Sequence, residues 1–139
     1  MLFLVLIGCG AGCGQSQAFS NPAPVGNGNQ RSGASLPIQE TVDLGVVFQG
    51  QLTTFHQWIK NRSDQEILVE RINVSCDCLS VQLSKKRIAP QGRVLVSFNY
   101  DGAKEPEFTG SLAIAVEFTG ADRRKFGVIT ASIDVVKSQ

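Results

Sequence analysis

From residue 38 onward, apolar and polar positions alternate in short blocks separated by turn-forming residues. Val94, Val96, Phe98 and Tyr100 are interleaved with Arg93, Leu95, Ser97 and Asn99. A period of two over this length predicts a strand at 93–100 with one buried face. At 111–118, Leu112, Ile114, Val116 and Phe118 share one face, and Ser111, Ala113, Ala115 and Glu117 the other. The last strand covers about 125–136 and aligns Ile129, Ala131, Ile133 and Val135. Earlier strands are predicted at 41–47, 52–60 and 66–74, with a short one near 79–83. The connectors carry turn chemistry: Gln49-Gly50, Ala89-Pro90-Gln91-Gly92, Asp101-Gly102 and Thr119-Gly120-Ala121-Asp122.

No window shows a sustained helical stripe. About seven short strands within 38–139 predict an all-β fold, an immunoglobulin-like β-sandwich. A small Greek-key barrel is the alternative. Trp58, the single tryptophan, lacks the flanking Cys pair of antibody-type domains. It is expected to be a packing or edge residue rather than a ligand platform.

The chain ahead of this domain follows a different pattern. Residues 1–30 contain no Asp, Glu, Lys or Arg. Met1 to Ile7 form an apolar run far short of the roughly 20 residues of a membrane-spanning helix. That length suits the core of a secretory signal, although no basic residue precedes it. Leu6-Ile7-Gly8-Cys9 resembles the lipobox of bacterial lipoprotein signals, which implies cleavage before Cys9 and acylation of it. Two or more acyl chains hold stably, because each buried methylene contributes ~0.8 kcal/mol. An ordinary cleaved signal with Cys9 inside it is the alternative.

Residues 14–37 are dominated by Gly, Ser, Asn, Gln, Pro and Ala and have no apolar period to offset the entropy of ordering. The expected organisation is a signal at 1–8, a flexible tether at 9–37 with a reach of roughly 30 Å, and the sandwich at 38–139. The destination is the extracytoplasmic side of a bacterial envelope, with the lipid anchor in the membrane.

Charge removes one class of partner. All 12 acidic residues and 12 of the 13 basic ones lie between Glu40 and Lys137, so the domain is electroneutral. Nucleic-acid binders carry a basic excess, so no nucleic-acid partner is expected. Lys85-Lys86-Arg87 and Arg123-Arg124-Lys125 read as solvated turn residues, or as guards of strand ends against edge pairing.

Several segments resemble the bacterial domain of unknown function 1573. Asp43-Leu44-Gly45-Val46-Val47 with Gly50 is similar to its opening motif. Trp58-Ile59-Lys60-Asn61 followed by Arg62-Ser63-Asp64 is similar to its next strand, which ends in Asn before a polar turn. Ser75-Cys76-Asp77-Cys78-Leu79 matches its most specific mark, with Asp77 in place of Gly and Leu79 in place of Thr. The Lys85–Gly92 loop and the strand after it follow in order, with Gln91 inserted between Pro90 and Gly92. The resemblance covers about 41–135. It implies a sandwich similar to major sperm protein and ASPM–SPD-2–Hydin type domains, often exported, with no agreed reaction.

Cys76 and Cys78 are the candidate thiol pair. In an extended strand their Cα atoms would stand roughly 6.5–7 Å apart, at the limit for a disulfide, so a bond between them requires a turn at Asp77. Three readings stay open: a structural pair (disulfide or buried thiols), a redox-active pair, and a site for copper or another soft metal formed by Cys76, Cys78 and His56. Nucleophile, phosphate-loop and zincin motifs are missing from the sequence. The expected function is therefore a non-enzymatic binding or scaffolding module without a cofactor, acting on a protein partner through loops or a strand edge. The alternative is a thiol-based copper-handling or redox protein.

Overall fold

The computed structural model describes residues 35–139, so Cys9 and the signal segment lie outside the described residues, as does most of the expected tether. Nine strands follow in chain order: β1 (Ile38–Phe48), β2 (Leu52–Lys60), β3 (Ile67–Leu68), β4 (Arg71–Val74), β5 (Leu79–Leu83), β6 (Arg87–Ile88), β7 (Arg93–Asp101), β8 (Gly110–Thr119) and β9 (Lys125–Val136). One sheet has the order β1-β9-β8-β4, a second β2-β7-β5, and a small third pairs β3 with β6. Both larger sheets end in open edges, so the fold is a sandwich and not the alternative barrel.

The alternation read from the sequence is the core. Val94, Val96, Phe98 and Tyr100 of β7 are fully buried, as are Ile129, Ala131, Ile133 and Val135 of β9. Ile114, Val116 and Phe118 of β8 join them in one continuous cluster between the sheets. Each such side chain contributes about 1.5–3 kcal/mol on leaving water. β1 lies parallel to β9, whereas the other strand pairs are antiparallel. It can approach β9 at its start because Gly127 faces Ile38; a Cβ at Gly127 would stand 2.7 Å from the Ile38 carbonyl oxygen. Farther along, β1 bulges between Asp43 and Val46. Gly45 takes φ 84° there and donates its N–H to Asp43 Oδ1 at 2.8 Å.

The strand expected at 66–74 is two strands in different sheets, and β6 is an additional short one. The break falls at Val69 and Glu70. Val69 donates to the Lys86 carbonyl at 2.9 Å, beside the β3–β6 pair, and Glu70 donates to the Thr119 carbonyl of β8 at 2.9 Å. Glu70 and Arg71 are both exposed, so the alternation loses its phase where the chain changes sheets.

Tyr100 buries its hydroxyl, and among the described residues Oη has no hydrogen-bond partner. Burial pushes the phenol pKa above its ordinary value, and the Glu105 and Asp101 carboxylates add to that shift. The raised folded-state value means that this stability is intact below the unfolded phenol's pKa and is lost as pH rises through the folded one. Tyr100→Phe is therefore expected to melt no lower than wild type near neutral pH and to lose less stability in alkali. Thermal melts across the alkaline range check both expectations.

Candidate functional site

The Cys76–Cys78 pair lies where the chain crosses from β4 in one sheet to β5 in the other. The two sulfurs form a disulfide, and the Cα atoms are 5.2 Å apart. A turn supplies the shortening from extended spacing: Leu79 N–H donates to the Cys76 carbonyl at 3.3 Å, and Cys78 N–H points at Cys76 Sγ at 3.1 Å. Asp77 needs no left-handed backbone here, because the only non-glycine residues with positive φ among those described are Gln91 and Arg123. Asp in place of the family's Gly is accordingly compatible with the turn. The Asp77 carbonyl also accepts from Lys104 Nζ at 3.0 Å, and Asp101 N–H donates to the Cys78 carbonyl at 2.8 Å. Cys78 is buried and Cys76 half-buried.

A ring closed over so few residues removes little freedom from the unfolded chain, about 1–2 kcal/mol in the chain-entropy picture. The double variant Cys76→Ser, Cys78→Ser should therefore fold and lose about that much, read from its urea midpoint.

The structure does not bring His56 to this pair. His56 lies on the outer face of β2, opposite Ser97, with Nδ1 2.9 Å from Ser97 Oγ. Cys78 meets β7 at Asp101, four positions farther on, or about 13 Å along the strands. No group of three or more His, Cys, Asp or Glu side chains suited to holding a metal ion occurs among the described residues.

Gln91, the inserted residue, adopts φ 57°. Its Nε2 donates to the carbonyls of Arg62 at 2.9 Å and Ser63 at 3.1 Å, which ties the turn after β2 to the turn before β7. The basic clusters differ in their partners. Arg87 pairs with Glu66 at 2.9 Å and Lys125 with Glu117 at 2.7 Å, while Arg124 covers the Phe126 ring at 5.8 Å. Lys85 and Lys86 are exposed.

Two surfaces stand out that the sequence pattern did not single out. The first is the far end of β1 and β9. Val46 and Phe48 are 62% and 48% exposed, and Val136, register partner of Phe48, is 38% exposed. Phe48 and Val136 line an open groove of about 530 Å³ whose other walls are Gln51, Lys137, Ser138 and Gln139. The signal was present but ambiguous: Val46-Val47-Phe48 breaks strict alternation, and only the bulge decides which side chains turn outward. The second surface is the open side of the sandwich between β4 and β5, a groove of about 320 Å³. Trp58 is 58% exposed on the outer face of edge strand β2.

Comparison with known proteins is consistent with this geometry. No curated protein matches the chain in sequence. A protein of unknown function from Porphyromonas gingivalis W83 is 16% identical with a TM-score of 0.56 over 72% of this chain and 46% of its own, so the chain spans less than half of that protein. WR4, a Caenorhabditis elegans MSP family member, is 12% identical (TM-score 0.45; 69% and 92% of the two chains). The ASH / PapD-like domain 7 of human CEP192 is 11% identical (TM-score 0.43; 76% and 89%). The first of these likenesses shows the fold alone. The family described as "Protein of unknown function (DUF1573)" matches residues 37–133, most of the chain and nearly all of the sandwich, and the chain belongs to it.

Proposed function

We propose that the chain is an exported, lipid-anchored binding module that works without catalysis, holding a protein partner on the extracytoplasmic side of a bacterial envelope. The observation that carries this reading is the apolar end formed by Val46, Phe48 and Val136. Contiguous exposed apolar surface with a polar rim is characteristic of interaction sites. The groove beside Phe48 is concave, a shape that receives a protruding side chain of a protein partner. This end lies at the opposite terminus of β1 from Ile38, where the preceding segment joins, about 33 Å along the strand. The lipobox-like Leu6-Ile7-Gly8-Cys9 supports the anchor. The copper-handling alternative gains no comparable support, since the two sulfurs are bonded to each other and His56 lies elsewhere.

The test uses the full chain extracted in mild detergent from its own envelope. Wild type is expected to migrate as a complex, and the Val46→Asp, Phe48→Asp variant as the free chain with unchanged melting. Identical migration of the two at the free size contradicts the reading. Intact mass tests the anchor: acyl mass on Cys9 is expected, and its absence rejects that half.

A further inference from the structure

We infer that the open side of the sandwich between β4 and β5 binds an extended peptide segment with an acidic end, which adds as a strand to the free edge of β5. The inference rests on the reading of the chain as a binding module, and it concerns a surface separate from the β1–β9 end.

Backbone geometry gives the first argument. β5 is the terminal strand of its sheet. The Cys78 carbonyl accepts from Asp101 and Ser84 N–H donates to Leu95, so the even-numbered residues 78 to 84 direct their backbone polar groups to β7. By the alternation of an antiparallel ladder, Val81 and Leu83 direct N–H and C=O to the open edge. That is a template for an added strand.

The groove floor gives the second. Ile72 of β4 and Val81 and Leu83 of β5 point into the sandwich, opposite Phe118, Phe98 and Val96 in register, yet remain half-buried because no strand covers this side. With buried Val69 they line the 320 Å³ groove, room for the inward side chains of a short strand. Val, Ile or Leu at alternate positions of the peptide would fill it, and the intervening residues would stay in solvent.

Charge gives the third. Lys86 lines the groove at the Leu83 end, and Glu70 lines it from the β4 side; Lys85, next in the chain, is exposed outside the lining. Neither lysine takes part in an ion pair among the described residues, whereas neighbouring Arg87 is held by Glu66. An acidic residue just beyond the apolar positions of the peptide meets the unpaired Lys86 ammonium group.

The test is fluorescence anisotropy with the full chain and a labelled synthetic peptide of alternating valine and threonine carrying two glutamates at one end. Saturable binding that weakens with salt is expected, together with slowed hydrogen exchange at the Val81 and Leu83 amides. Lys86→Glu should weaken it about tenfold. The same peptide N-methylated on the amides that face β5 should not bind. Val81→Pro should abolish binding, and the fold tolerates proline where an edge N–H is unpaired; if that variant does not fold, the N-methylated peptide carries the same test. Phe48→Asp should leave peptide binding unchanged, so failure here and failure at the β1–β9 end are separable. The inference is overturned if the peptide does not bind, leaving Lys85 and Lys86 as edge protection alone. Equal binding of the N-methylated peptide or of polyglutamate overturns it too. So does Lys86-dependent binding of phosphatidylglycerol vesicles that excludes the peptide.

Discussion

Asn61→Asp is expected to destabilise the protein by about 3 kcal/mol or more, lowering Tm by about 12 °C or more for a body of this size. Asn61 is fully buried at the end of β2. Its Nδ2 donates towards the carbonyls of Gln65 at 2.8 Å, Ala89 at 3.1 Å and Ile88 at 3.3 Å. Its Oδ1 accepts from Ser63 N–H at 3.0 Å and Ser63 Oγ at 2.8 Å. One side chain thus joins the turn after β2, the end of β6 and the turn before β7. Aspartate has nearly the same shape, so packing is preserved while the donor becomes an acceptor facing three carbonyls. A buried carboxylate oxygen that faces only carbonyls, with no donor opposite it, is costly. The deficit should shrink in acid, where the protonated carboxyl can donate one hydrogen bond. Thermal melts at neutral and acid pH measure both effects, and a neutral-pH loss below about 1 kcal/mol would contradict the role given to Asn61.

Phe98→Ala carries an effect of similar size for a different reason. Phe98 is fully buried at the centre of β7, between its register partners Phe55 of β2 and Val81 of β5. Truncation removes apolar contact and leaves a cavity that two flanking strands cannot collapse, a loss of about 3–5 kcal/mol. Domains of this class retain about 5–15 kcal/mol in all, so the variant should be partly unfolded at physiological temperature. Trp58→Ala removes a larger side chain but should change stability by no more than about 0.5 kcal/mol, because that ring stands outside the core. Denaturant midpoints of the two variants measured together test the assignment of inner and outer faces.

The inner faces were legible because alternation is a local property. A strand that buries one side must write that side at every second residue, and β7, β8 and β9 do so without interruption. What the pattern could not carry is pairing between distant segments. The parallel contact of β1 with β9 depends on Gly127 leaving room for Ile38, two residues far apart in the chain. The break at Val69 and Glu70 depends on which carbonyl each N–H meets, Lys86 or Thr119, and neither partner is written nearby.

The same limit applies to the surfaces. Cys76 and Cys78 were visible as a pair, and strand spacing showed that a bond between them requires a turn at Asp77, but not whether the bond forms. The outward aim of Val46 and Phe48 follows from the bulge at Gly45. The groove beside β5 exists because Ile72, Val81 and Leu83 lie on strands that end their sheets. Edge position is a property of the assembled sheet order, and an apolar residue reads the same in sequence whether its strand is central or terminal.

The central claim is that the apolar end of β1 and β9 holds a protein partner. A photoreactive amino acid placed at position 48 of the full chain, in its native envelope, tests this most directly. The account predicts one discrete adduct under illumination that disappears when Val46 and Val136 are changed to Asp, and no adduct from the same probe at Ala121, exposed in the turn before β9. No adduct at position 48, or the same adducts from both positions, would contradict it.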